Sequence, residues 1–387
     1  MIKVLRIIGR LNVGGPAIHT VLLTACLDQR KFDSRLVTGT EGPTEGSMRY
    51  LAEERNIELL WIPEMGREIS FRDDFIVLWK LIRLIRREKP DIIHTHTAKA
   101  GTVGRLAALI ALPGRKKQLY HTFHGHVFHS YFSSRKTRAF ILIEQFLGRF
   151  TNRLIAVSDQ TKKELVEFKI AAPDKIAVIP LGLDLNPFAE CERLRGELRS
   201  ELNLPAEAVL VGLVARLVPV KDIKTFLCAV ECVADSHPNA YFIVVGDGEL
   251  RRPLEEQAKA LGLGDRIRFL GYRQDLARIY ADLDIVALSS LNEGLPVSLI
   301  EAMASGCVVL ATSVGGVPNL IQEGQTGFMA PSGDPSAFAD ALDRVLHGSD
   351  HWSKIGIAAR DFVLERFHVN RLVRDIEQLY LEGSDKT

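Results

Sequence analysis

The chain alternates between two hydrophobic rhythms. Short apolar runs lie near "KVLRII", "DSRLVTG", "DIIHTH", "QLYHTF" and "RLIAVS" in the first half. In the second they lie near "VLVGLVARL", "YFIVVG", "RIRFLG", "DIVALS" and "VVLATS". They read as strands buried on both faces. Stretches with helical spacing separate them, among them "LAEERNI", "DFIVLWKLIRLIRREK" and "DIKTFLCAVECVADS". Strand–helix alternation predicts parallel sheets covered by helices, and the pattern occurs twice. A Pro- and Gly-rich segment, "VIPLGLDLNPF" at residues 178–188, stands between the two sets. The expected fold is therefore α/β, with two doubly wound Rossmann-like domains over residues 1–183 and 184–366. Ligands are expected in a cleft at the carboxyl ends of the strands. The final stretch, from "SKIGIAARDF" onward, has no strand pattern and reads as helices.

Composition narrows the class. The chain has 387 residues, 47% hydrophobic and 25% charged, ordinary for a soluble globular protein. Its first apolar run is too short and too interrupted by charge for a signal peptide. No run approaches the roughly 18 uncharged apolar residues of a membrane span. Five cysteines are scattered without a CxxC pair. Cys228 and Cys232, four apart on one helix face, read as core residues, and a reducing cytoplasm is expected. The net charge of +1 hides an asymmetry. Residues 1–183 carry 29 Lys and Arg against 18 Asp and Glu, whereas residues 184–387 carry 20 against 30. The basic half is expected to face an anionic surface.

The strand ends carry the candidate chemistry. In "VARLVPVKD", Arg216 and Lys221 follow a strand, and an Arg fork with a Lys point charge suits a diphosphate. Taken alone, the pair also fits two exposed surface charges. "VVGDGEL" places Gly246 and Gly248 around Asp247, a turn that permits close ligand approach and is also common as a simple tight turn. "NEGLPVSLIEAMASG", residues 292–306, puts Glu293 and Glu301 on either side of a predicted helix start. Pro296 is expected at the first helical position. Helix starts favour anions, so two flanking carboxylates require a ligand with phosphate in its middle and hydroxyls at both ends. A nucleoside diphosphate-sugar has that form. Gly294, Leu295, Pro296 and Val297 line the expected anion site, and the ionised carboxylates accept hydroxyl donors. Tyr272 and Arg273, after "RIRFLG", are expected to line the base pocket mainly through backbone.

In the first half, "GRLNVGGPAIHT" sets Gly14 and Gly15 between a strand and a helix, where bare backbone can approach phosphate or sugar. It departs from GxGxxG, so no dinucleotide site is read. "HTFHGHVFHSYF" holds His121, His124, His126 and His129. The spacing admits zinc, but no acidic or Cys ligand is adjacent, and a polar acceptor loop is the preferred reading. A histidine there can hold a sugar hydroxyl or move a proton near neutral pH. Of His94 and His96 in "DIIHTH", one is expected in the core.

The order of these motifs resembles the retaining group 1 (family four) glycosyltransferases of the GT-B fold, over essentially the whole chain. The most specific element is the E-x7-E pattern, here Glu293 to Glu301. Arg216, Lys221, the Gly14 and Gly15 loop and "VIPLGLD" also match, although Leu181 replaces the family's usual Asn. The resemblance implies donor binding by the C-terminal domain and acceptor binding by the N-terminal domain. It implies that Glu293 contacts the transferred sugar, Glu301 the ribose, and Arg216 with Lys221 the diphosphate. His124 matches the family's strand-end histidine beside the reacting sugar. The resemblance further implies that a last helix, about residues 367–387, crosses back to the first domain, and that no metal or other cofactor is required. The donor expected from family frequency is a UDP-sugar rather than a GDP-sugar.

The stretch "FIVLWKLIRLIRREK" places Lys80, Arg83 and Arg87 on one helix face, with Arg86, Lys89 and Trp79 nearby. "GRKK" at 114–117 and "SRKTR" at 134–138 add charge. Such a surface suits an anionic membrane; an ordinary solvated face is the alternative. The expected protein is a cytoplasmic enzyme, peripheral at the inner face of the plasma membrane, with a lipid-linked or polysaccharide-precursor glycan as acceptor and no nucleic-acid partner. Two competing readings are a nucleotide-sugar epimerase on the same fold and a catalytically degenerate binding subunit.

Overall fold

The structure, a computed structural model, describes residues 1–42, 46–66, 70–113, 117–124 and 134–385. The chain divides into two compact units. One comprises Met1–Asp184 with Phe367–Thr387, the other Leu185–Arg366.

The first unit is built on a parallel sheet of β1 (Ile2–Ile8), β2 (Phe32–Thr38), β3 (Leu59–Trp61), β4 (Ile92–His96), β5 (Gln118–Phe123), β6 (Arg153–Ala156) and β7 (Ile176–Val178), in the order β3-β2-β1-β4-β5-β6-β7. Successive side chains of β1 serve opposite faces. Leu5 and Ile7 pack with Val77, Leu81 and Ile85 of the Phe71–Glu88 helix and with Ala107 of the Ala98–Ala111 helix. Val4 packs on the other face with Leu23 of the Gly15–Cys26 helix. Leu372, Ile376 and Tyr380 of the Val369–Asp385 helix join that second cluster.

The second unit repeats the plan with β8 (Val209–Val214), β9 (Ala240–Val245), β10 (Ile267–Gly271), β11 (Ile285–Leu288), β12 (Val308–Thr312) and β13 (Phe328–Ala330), in the order β10-β9-β8-β11-β12-β13. Its core joins Val211 and Leu213 to Phe226 and Val230 of the Ile223–Ala234 helix. In both units the strand order reverses beside the first strand, between β1 and β4 and between β8 and β11. Those reversals open a crevice at the carboxyl ends of the strands.

Some expectations fail locally. The strands β3, β7 and β13 have three residues each and lie at sheet edges, too short to print an apolar run. The "LAEERNI" stretch forms helix only over Tyr50–Glu53. Cys232 is exposed and Cys228 half-buried. Their helix turns Phe226, Leu227, Val230 and Val233 inward instead, so the two cysteines are not core residues.

Candidate active site

At the second unit's switch point, two loops are pressed together by glycine. Gly246 has a φ of +130°, and a Cβ there would sit 1.9 Å from the Ala215 carbonyl oxygen. A Cβ on Gly248 would sit 2.5 Å from the Leu217 carbonyl oxygen. The Leu217 amide donates to the Asp247 carbonyl at 2.9 Å, and Arg251 holds the Asp247 carboxylate at 3.0 Å. This turn therefore lies directly on the loop that carries Arg216. Arg216 is exposed, and no residue among those described pairs with its guanidinium.

Five residues on, Lys221 Nζ donates to Glu293 Oε1 at 2.5 Å, and Ser290 Oγ donates to the same oxygen at 2.6 Å. Glu293 is only 8% exposed, so its charge is balanced locally instead of by water. The backbone fixes this pairing. Leu291 donates to the Val220 carbonyl at 2.8 Å, and Ser289 Oγ to the Asp222 carbonyl at 2.9 Å. The loop after β12 supports Glu293 from behind. Gly315 has a φ of +52°, and a Cβ there would fall 1.7 Å from the Glu293 carbonyl oxygen. Neither Ser290 nor the Gly315–Gly316 pair was singled out in the sequence, although a double glycine after a strand was the available signal.

The helix after this loop spans Val297–Ala304. Pro296 is not at its first position: it caps the helix with ψ at 104°, outside the helical range. The first-turn amides of Val297 and Ser298 consequently have no intrahelical acceptor. Gly294 is exposed and Leu295 half-buried in the preceding turn. Glu301 departs from the expected pair of ionised carboxylates, because burial pushes its carboxyl up to about 8. The Tyr280 hydroxyl lies 3.3 Å from Glu301 Oε2 and 3.1 Å from the Ser298 carbonyl. A protonated Glu301 can donate to the tyrosine oxygen while the tyrosine donates to Ser298. Tyr272 is 54% exposed. The Arg273 side chain is committed to Glu201 at 2.7 Å and Asp275 at 2.6 Å, leaving its backbone for any ligand.

The first unit gathers histidines at its own switch point. The Gly14 carbonyl accepts from Ala17 at 3.2 Å at the start of the Gly15–Cys26 helix. His19 from that helix, His96 from the end of β4 and His124 just past β5 bring one ring nitrogen each within 4.8 Å of one another. His96 Nδ1 and His124 Nε2 are 3.0 Å apart and share a proton. Both ring nitrogens of His19 and Nε2 of His96 are buried without a partner. Three imidazoles match the donor number of some zinc sites, while the nearby Arg6 cation disfavours added positive charge there.

Burial pushes the His124 pKa down to about 3 and those of His19, His94 and His96 well below the ordinary value. His124 is thus a neutral hydrogen-bonding ring and not the near-neutral proton carrier that the sequence also admitted. His121 is no acceptor-loop residue. It lies within β5, buried against Thr95 Oγ1 at 2.9 Å. Both His94 and His96 are buried, where one was expected in the core. His94 bonds Tyr380 at 2.6 Å and Thr122 at 2.7 Å. His126 and His129 lie outside the described residues.

The basic helix is less uniformly basic than its sequence. Lys80 is held by Glu64 at 2.6 Å, and Arg87 pairs with Glu88 at 2.8 Å. Arg86 is exposed, with Nε near the Ala111 carbonyl at 3.4 Å. Arg83 is exposed and sits over the Trp79 ring, 5.4 Å from its centroid. No described helix is long and apolar enough to cross a membrane.

Comparison with known proteins matches the group 1 glycosyl transferases over residues 195–362 and Glycosyltransferase Family 4 over residues 13–187. An Escherichia coli protein, UDP-Gal:alpha-D-GlcNAc-diphosphoundecaprenol alpha-1,3-galactosyltransferase, is 31% identical over 92% of this chain and 90% of its own. D-inositol 3-phosphate glycosyltransferase of Corynebacterium glutamicum is 32% identical over 89% of this chain and 86% of its own. Among solved structures, Anabaena HepE in complex with UDP superposes with a TM-score of 0.83 at 23% identity, covering 98% of this chain and all of the other. Two parallel-sheet α/β units of GT-B architecture, each matched by a glycosyltransferase family, define an enzyme that transfers sugars. The chain belongs to the group 1 glycosyltransferases.

Proposed function

We propose that this enzyme moves a hexosyl unit from a UDP-sugar to a hydroxyl of a lipid-linked or polysaccharide-precursor glycan, with retention of the anomeric configuration. The carrying observation is the half-buried Lys221 paired with the buried Glu293, on loops that also carry the exposed Arg216 and lead into the free first-turn amides of Val297 and Ser298. Arg216, Lys221 and the amides meet the charge that grows on the departing diphosphate. Glu293 accepts hydroxyls of the transferred sugar, and Glu301 serves the ribose. Gly246, Asp247, Gly248, Tyr272 and Arg273 line the donor subsite, and in the first unit the bare backbone of Gly14 and Gly15 can approach phosphate or sugar. His124, neutral and half-buried, holds a hydroxyl of the sugar without carrying charge. The cations perform the electrostatic work often given to a divalent metal, so none is required.

The UDP preference draws support from the Anabaena structure solved with UDP, and the lipid-linked acceptor from the diphosphoundecaprenol substrate in the name of the E. coli relative. The first unit would take the acceptor, with the enzyme peripheral at the inner face of the plasma membrane. A thermal-shift panel of UDP, GDP, ADP and their sugar conjugates tests the donor, because a ligand bound by the native state raises the melting temperature. A shift confined to the uracil series is expected. Transfer from the preferred UDP-sugar to a polyprenyl diphosphate-linked acceptor, with the product anomer read by NMR, tests the rest. An inverted product, or donor consumption without transfer, would overturn it.

A further inference from the structure

Eight of the fifteen large apolar side chains left exposed among the described residues lie on three helices of the first unit. Phe71, Phe75 and Trp79 are 93%, 70% and 53% exposed. Their i, i+4, i+8 spacing stacks them into one ridge along the Phe71–Glu88 helix. The opposite side of that helix is already used, since Val77, Leu81 and Ile85 are fully buried. Ile110 emerges from the neighbouring Ala98–Ala111 helix, and Leu142 and Phe146 from the Ser134–Phe150 helix beyond it.

The three helices are tied side by side. Lys99 pairs with Asp74 at 2.7 Å, and Arg105 with Glu144 at 2.6 Å in full burial. The apolar side chains therefore stand on adjacent helices and not at scattered points. Apolar exposure gathered on neighbouring helices marks an interaction surface.

We infer that the outer face of these three helices is a lipid-docking surface whose aromatic ridge inserts among the headgroups of an anionic bilayer. Two features favour lipid over a second copy of the chain. Exposed Arg72, Arg83, Arg86 and Arg149 lie on the same helices, and rings flanked by arginines match an interface with an apolar interior and anionic rim. Residues 1–183 also carry an excess of eleven positive charges, so pairing two copies through this half would bring like charges together, whereas anionic headgroups neutralise them.

The ridge also has a direction. The Ala98–Ala111 helix starts two residues after His96, and the Lys99–Asp74 pair holds the start of the Phe71–Glu88 helix beside it. Phe71 and Phe75 thus lie at the end of the sheet where the strand-end histidines gather. A docked enzyme would meet a lipid-linked acceptor at that end. Insertion deepens the peripheral placement proposed above. It also differs from adsorption by charge alone: Lys80 and Arg87 are neutralised within the protein, and the ridge is uncharged.

The test is co-sedimentation of the full chain with vesicles of phosphatidylcholine containing about a third phosphatidylglycerol, in 0.1 M and 0.5 M salt. Wild type is expected to bind and to keep much of its binding at 0.5 M salt, because apolar insertion is not screened. The triple variant Phe71→Ser/Phe75→Ser/Trp79→Ser should lose at least tenfold in affinity at both salts. Arg83→Glu/Arg86→Glu should lose mainly the salt-sensitive part. Circular dichroism melting and the UDP thermal shift serve as fold and donor-site controls, and both should be unchanged in the triple variant. Equal binding by wild type and the triple variant, or binding abolished by 0.5 M salt, overturns insertion. A concentration-dependent dimer that the triple variant abolishes would assign the face to a second copy and overturn it equally. Failure to bind vesicles with an intact UDP shift removes the docking surface and leaves the donor reading standing.

Discussion

Lys221 and Glu293, 72 positions apart in the chain, meet at 2.5 Å, the carboxylate buried and the ammonium half-buried. The contact joins the loop after β8 to the loop after β11 across the switch point of the second sheet. A buried charge pair of this kind is costly to break from one side, because the survivor stays desolvated. Lys221→Ala is therefore expected to lower stability by about 2 kcal/mol and the transfer rate by about a hundredfold or more. Chemical denaturation and steady-state kinetics check the two effects separately. Near-normal turnover would mean that the diphosphate lies elsewhere.

Glu301 is expected to make donor binding sensitive to pH. Its carboxyl is raised from the ordinary 4.5 to about 8 by burial, so the protein at neutral pH holds it mostly protonated. The stability gained from that neutral form is complete below about pH 4.5 and is lost as pH rises through about 8. The ionised carboxylate is the stronger acceptor for ribose hydroxyls. UDP affinity should then rise by up to about fivefold between pH 7 and 8, the limit set by the ionised fraction. Calorimetric titration at the two pH values measures this, and Glu301→Gln should flatten the dependence. A wild-type affinity that falls over the same interval would contradict the assignment.

Gly315 has no room for one added methyl. A Cβ there would overlap the Glu293 carbonyl, and its φ of +52° already disfavours any side chain. Gly315→Ala is expected to displace the Glu293 loop, lower the melting temperature by several degrees and weaken UDP-sugar binding more than UDP binding. Equal losses for both ligands would show that Glu293 does not serve the sugar.

His124 should leave no mark on the pH–rate profile near neutrality, because burial keeps it uncharged down to about pH 3. His124→Ala should reduce kcat while leaving the shape of the profile between pH 6 and 8 unchanged. A limb near pH 6.5 that disappears in the variant would show that the ring titrates during turnover.

Tyr380 bonds His94 at 2.6 Å and Arg6 at 3.3 Å in full burial. Tyr380→Phe should destabilise the protein by about 1 to 2 kcal/mol by leaving both partners short of a bond. Urea denaturation reads the change, and a neutral result would mean that water replaces the hydroxyl.

The fold class was legible because its signals are local: five- to seven-residue apolar runs alternate with helical spacing, and the fixed handedness of such units does the rest. The missed strands, β3, β7 and β13, are short edges that need no long apolar run. At the site, Arg216, Lys221 and the two glutamates stood out through residue type and spacing around a turn. Their states did not. The neutrality of Glu301 and His124 is imposed by neighbours remote in sequence, and His19 resembled any helical histidine until β4 and β5 brought His96 and His124 beside it. The basic face misled in the opposite sense. Lys80 read as a free charge because Glu64 lies sixteen residues earlier, beyond the reach of helical periodicity.

The Val369–Asp385 helix completes the core on one face of the sheet that β1 begins. A ribosome making this protein therefore releases the opening strands long before their last packing partner exists. Until the seventeen residues of that helix have been made and released, Val4, Ile92 and the bonds of Arg6 and His94 to Tyr380 wait unfilled. The whole of the Leu185–Arg366 unit can close in that interval. The unit synthesised first is thus finished after the second has been made, and a chain stopped before Val369 would leave its own first strand without a packing partner.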